Sequence, residues 1–111
     1  MIWTAWKSGK GFSANQSFGF KVSVADRDKY FHRSNDKAFI ELPVKEGFRT
    51  IECTTDKDSF WNSTCRELIN REVGAWFLQN QFIPWANRKP VKFQVKWLGE
   101  NRFRVLSTIN E

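Results

Sequence analysis

Residues 59–66 read Ser-Phe-Trp-Asn-Ser-Thr-Cys-Arg, an aromatic pair followed at once by hydrogen-bonding side chains and an arginine. Phe60 and Trp61 suit a core or a backbone brace. Asn62, Ser63, Thr64 and Arg66 carry the donors and acceptors that hold phosphates and read base edges. Lys57, just upstream, adds a cation to the same stretch. A second segment, residues 7–18, has the same make-up: Lys7, Ser8, Lys10, Ser13, Asn15, Gln16 and Ser17 interleaved with glycines and two phenylalanines. Arginine can fork onto one base edge and asparagine or glutamine onto another, while lysine, serine and threonine fix register on a phosphate chain. Either segment alone reads better as an ordinary polar connection. The two together in one basic chain point to nucleic acid.

The charge agrees. Lys and Arg number 18 against 12 acids, for a net charge of +6. The excess is local. Residues 1–25 hold Lys7, Lys10 and Lys21 with no acid, and residues 88–106 hold six cations against Glu100 alone. Two basic regions far apart in sequence can converge on one face, the footprint of a nucleic-acid binder. A solvated basic surface gives the same counts.

Other chemistry is poorly supplied. Cys53 and Cys65 lack the spacing of a zinc site or a disulfide framework, and His32 is the only histidine. His32 lies by a polar turn and reads as a surface residue; no Cys–His nucleophile is apparent. Gly9-Lys10-Gly11 lacks the phosphate-loop spacing. The expectation is a non-enzymatic chain with no metal and no cofactor. The N-terminus has no secretory h-region and no stretch has transmembrane length, so a cytoplasmic protein with no membrane partner is expected.

The elements that must position these segments follow from periodicity. At 111 residues one domain is expected. Six Trp and eleven Phe against one Tyr must mostly be core, because aromatic side chains bury large areas. Residues 2–7, 20–24, 38–42 and 48–54 read as strands, the last two as a hairpin. Residues 26–31 suit a short helical turn with Tyr30 and Phe31 inward. After the segment 59–66 a short strand is expected at 66–69. A helix then runs from Arg71 to about Asn80, with Asn70 as its cap and Val73, Trp76 and Phe77 on one face. The alternative is one longer helix that starts at Ser63 or Thr64 and swallows 65–69. Residues 91–98 and 102–107 form a last hairpin through Gly99-Glu100-Asn101. About seven strands with one or two short helices imply a mostly β, open seven-stranded pseudobarrel.

This order resembles the plant transcription-factor "B-three" domain, a DNA-binding pseudobarrel whose fold is shared by the DNA-recognition domains of certain bacterial restriction endonucleases. The resemblance spans roughly residues 20–107. It rests on Val22-Ser23-Val24 followed by Lys29-Tyr30-Phe31, the hairpin of 39–42 and 48–53, and Phe60-Trp61-Asn62-Ser63. Trp76-Phe77-Leu78-Gln79-Asn80-Gln81-Phe82 and Val91-Lys92-Phe93-Gln94-Val95 complete it. The chain departs from the family pattern after the helix, with Pro84-Trp85-Ala86-Asn87 in place of Gly-Asp, and in the tighter spacing of Trp76 and Phe77. The resemblance implies two arms that grip the major groove of double-stranded DNA, corresponding to 7–18 and 57–66. Motif identity carries over Trp61, Asn62 and Ser63; Arg66, Lys10, Asn15 and Gln16 come from residue chemistry. A protein partner would supply any effector activity. Two other readings stay open: a single-stranded DNA or RNA binder that stacks bases on exposed aromatics, and an inhibitor-like or antitoxin-like protein-interaction module.

Overall fold

The computed structural model describes residues 1–13, 15–62, 66–86 and 89–109. Along them run β1 (Ile2–Lys7), β2 (Phe18–Lys21), α1 (Val24–Tyr30), β3 (Lys37–Val44), β4 (Gly47–Thr54), α2 (Asp58–Trp61), β5 (Glu67–Ile69), α3 (Arg71–Gln79), β6 (Lys92–Gly99) and β7 (Arg102–Thr108). All seven strands belong to one sheet in the order β4-β3-β7-β6-β1-β2-β5. Every pair is antiparallel except β3 with β7.

The sheet curls until its two edges nearly meet. One residue does much of the joining. Asn70 Oδ1 accepts from Glu72 N at 2.8 Å and so caps α3, while Asn70 Nδ2 donates to Glu52 O on β4 at 2.6 Å. An Arg49–Glu72 ion pair at 3.5 Å bridges the same gap. The result is a mostly β, nearly closed barrel with three short helices, the pseudobarrel expected from the strand pattern.

Strand alternation builds the core. Trp3 and Ala5 from β1, Phe20 from β2, Ala38, Ile40 and Leu42 from β3, Phe93 and Val95 from β6, and Phe103 and Val105 from β7 all point inward and are buried. Aromatic rings fill the space between them. Phe31 stacks on Phe103 with centroids 4.6 Å apart, and Phe77 lies parallel to Phe93 at 5.9 Å. The Trp3 ring packs against Phe20, Phe31 and Phe103, and its buried Nε1 has no acceptor among the described residues. Cys53 sits in the same core, and burial pushes its thiol up to about 12, partly offset by Lys57.

Several boundaries differ from the sequence pattern for local reasons. The strand expected at 20–24 ends at Lys21 because Ser23 turns to cap α1, its Oγ accepting from Asp26 N at 3.1 Å. Capping at Ser23 also starts α1 at Val24, earlier than the helical turn expected at 26–31. Residues 67–69 are strand, so no long helix runs through this stretch, and α3 begins after Asn70. Residues 58–61, expected as part of a loop, form the extra short helix α2. Among the described residues no helix is long and apolar enough to cross a membrane.

Candidate nucleic-acid interface

Arm 1 is the connection from β1 to β2. Its base is a continuation of the hairpin: Ser8 N donates to Ser17 O at 2.9 Å, and Ser17 N donates to Ser8 Oγ at 2.9 Å. Gln16 then organises the loop from within. Its Nε2 donates to Ser8 O at 2.6 Å, Gly11 O at 2.9 Å and Lys10 O at 3.3 Å, and its Oε1 accepts from Ser13 N at 2.7 Å. A short loop with no regular structure leaves backbone groups without ladder partners, and one amide side chain satisfies four of them. Lys7 is turned inward as well, its Nζ donating to Gly9 O at 2.9 Å and lying 5.1 Å from the Phe12 ring centre. Phe12 in turn meets Trp85 edge-on at 5.1 Å, which ties the arm to the segment after α3. Of the residues proposed from sequence, Lys7, Ser8 and Gln16 thus build the arm. Lys10, Ser13, Asn15 and Ser17 lie exposed on it.

Arm 2 runs from Thr55 to Arg66 and carries α2. Phe60 is fully buried against Phe31 and anchors the arm in the barrel. Trp61 is half-buried, and its Nε1 donates to Thr55 O at 2.9 Å, closing the arm across its own base. The residue that holds the rest is Arg27 of α1, which the sequence did not single out. It is buried, and its Nη1 donates to Asn62 O at 2.7 Å and Phe60 O at 3.2 Å. Its guanidinium lies 5.7 Å from the Trp61 ring centre and pairs with Asp28 at 3.0 Å. The available signal was position: Arg27 lies in the short helical segment one turn before Phe31, whose ring was expected inward. Exposed Arg33 also lies over Trp61, at 5.6 Å, and pairs with Asp58 at 3.6 Å.

Asn62 is exposed at the end of α2, and Lys57 is half-buried at its start. Ser63 and Thr64 lie outside the described residues. Arg66, expected to face a ligand, donates from Nε to Val22 O at 2.8 Å, which helps secure the join between arm 2 and β2.

Strand register fixes how the arms relate. β2 and β5 pair antiparallel through Gly19↔Ile69, Phe20↔Leu68 and Lys21↔Glu67, and Val22 N extends the ladder to Arg66 O at 2.9 Å. Arm 1 enters this ladder at Phe18 and arm 2 at Arg66. They therefore leave the barrel at opposite ends of it, about 13 Å apart at ~3.3 Å per residue. Alongside, Thr4 of β1 is paired with Lys21 on one side and Lys92 on the other. The two basic regions of the sequence are thus neighbours on the outer face of the sheet. Exposed Lys96 continues the row from Lys92. Arg104 and Arg102 lie further along but are engaged: Arg104 pairs with Glu41 at 2.8 Å, and Arg102 stacks over Phe39 at 4.9 Å. No group of three or more His, Cys, Asp or Glu side chains suited to a metal occurs among the described residues.

Fold and site together define a small, mostly β barrel with two polar arms and a lysine-bearing outer face. Comparison of the chain with family models, with curated proteins and with solved structures finds no match.

Proposed function

We propose that the chain is a non-enzymatic double-stranded DNA-binding module that grips the major groove between arm 1 and arm 2. The observation that carries this reading is the placement of the arms at opposite ends of the β2–β5 ladder. A root spacing of about 13 Å matches a major groove about 12 Å wide, and lysines stand on the strands between. The order of strands, arms and helices supports the likeness to the "B-three" type. Lys10, Ser13 and Asn15 on arm 1 and Lys57, Asn62, Ser63 and Thr64 on arm 2 are the contacting set, with Lys21 and Lys96 on phosphates. Lys7, Ser8, Gln16, Trp61 and Arg66 serve by shaping the arms.

Single-strand stacking is less well served. The exposed rings among the described residues are Phe12, Phe48 and Trp97. Phe12 is held by Trp85 and Lys7, Phe48 lies under Arg104 at 4.3 Å, and Trp97 packs on Tyr30 at 5.4 Å. They form no row on which successive bases could stack.

The test is a gel-shift with random duplex and single-stranded oligonucleotides at two salt concentrations, followed by selection of bound duplexes. A preferred duplex site is expected, and Asn62→Ala should cost about 1–3 kcal/mol and relax the preference at one base pair. Equal affinity for single strands, or binding to neither, sinks the proposal.

A further inference from the structure

Between arm 1 and α3 lies a cavity of about 540 Å³, within the range of small-molecule sites. Phe12 and Phe18 line it from the arm and from β2, Ala75 and Leu78 from α3, and Ile83 from the segment that follows. Gly74 and Ala75 of α3 complete this wall. Gly74 lies against Phe18 so closely that a Cβ there would sit 2.8 Å from a ring carbon, so the helix and the Phe18 ring meet at this edge of the cavity. At the mouth, Leu78 is 65% exposed and Phe12 is 38% exposed. Large apolar groups left in water at the rim of an apolar cavity are what an occupant would cover. One lining residue is charged, Arg71. It is exposed, and the adjacent carboxylate, Glu72, is turned to Arg49.

We propose that this cavity is a binding site for a small ring-bearing monoanion, with its apolar body between the Phe12 and Phe18 rings and α3, and its anionic group on Arg71. Walls of this kind favour a ring, and a single cation selects one negative charge. The site does not depend on the chain binding DNA.

The experiment is a fluorescence titration of the full chain with anilinonaphthalenesulfonate and, in parallel, with its uncharged parent phenylnaphthylamine. Wild type should bind the anionic probe at one saturable site. Arg71→Gln should weaken that probe about tenfold, the loss of one charge-assisted contact, and leave the uncharged probe unchanged. Ala75→Phe fills the cavity and should abolish binding of both. Either an Ala75→Phe variant that titrates like wild type or an Arg71→Gln variant that weakens both probes alike overturns the proposal. So does probe release on raising the protein concentration with a dimer seen by sedimentation, because a second copy would then be the occupant. Arg71 is exposed, so its variant decides the matter even where Ala75→Phe does not fold.

Discussion

Arg27 is where the fold and the proposed site share one side chain. A guanidinium this buried needs its donors used, and it spends them on the carbonyls of Phe60 and Asn62, the two ends of the turn that presents arm 2. Lysine cannot replace it, because one ammonium on a flexible stem does not reproduce a planar fork. Arg27→Lys is expected to lower unfolding free energy by about 2–3 kcal/mol, the value of charge-assisted bonds to groups otherwise left unpaired. In denaturant titrations this appears as an earlier midpoint. Duplex affinity should fall under conditions where the variant is still folded. An unchanged midpoint and an unchanged affinity would show that Arg27 holds nothing. Cys53 makes a separate residue-level prediction. Its folded thiol is raised to about 12 from an ordinary 9.0, mainly by burial. Across that window the unfolded chain gives up a proton that the folded chain keeps, so stability must fall as pH rises, by roughly a kcal/mol per pH unit. Cys53→Ala removes this contribution, and its denaturation midpoint should decline less steeply with alkaline pH than wild type. Parallel slopes for the two proteins would refute the assignment. At this scale sequence reading found the roles set by adjacent residues, such as Asn70 as a cap, but not its bond to Glu52 O. It missed Arg27 because a buried charge looks like any helical arginine until its acceptors, more than thirty residues away, are known.

At the scale of elements, the short β2–β5 ladder sets the distance between the arms, and Gly19 makes it possible. A Cβ built on Gly19 would overlap the Leu68 carbonyl oxygen across the ladder. Backbone cannot move aside without opening the pairing, so a side chain here breaks the join rather than merely crowding it. Gly19→Ala is expected to destabilise the protein by about 2–4 kcal/mol, and to raise amide exchange at Lys21 and Leu68 before exchange rises in β6 and β7. Uniform loss of protection across the sheet would mean that the ladder is not a separate weak point. The helices and longer strands could be read in advance because each carries its own period: Val73, Trp76 and Phe77 for α3, and alternation through Ala38, Ile40 and Leu42 for β3. Of the short pieces, β5 was legible at 66–69, but α2 and the end of β2 were not. α2 is four residues long with no side-chain cap, so nothing local distinguishes it from a turn. The end of β2 depends on Ser23 capping a helix rather than continuing the strand.

For the whole molecule, what matters is where the charge of +6 falls. Much of the arginine is engaged: Arg27, Arg33, Arg49 and Arg104 each pair with a carboxylate, and Arg102 lies on a ring. Lys37 pairs with Glu52. The lysines on and between the arms are arranged differently. Lys10, Lys21, Lys57 and Lys96 have no ion-pair partner among the described residues, and they sit on the arms and on the outer face of β2 and β6. Strand pairing across Thr4 brings two regions some seventy residues apart onto one surface, which composition suggested but only the sheet order could deliver. If these four lysines meet phosphates, releasing one counterion each, duplex affinity must fall with salt at a log–log slope of about −3 to −4. Each change to glutamine at Lys10, Lys21, Lys57 or Lys96 should then make that slope shallower by about 1, with little effect on which sequence is preferred. Binding isotherms by fluorescence anisotropy at several salt concentrations measure this directly. A slope that does not change in any of the four variants would move the contact surface elsewhere. A slope near zero in wild type would favour a protein partner, because an aromatic and polar interface releases no condensed counterions.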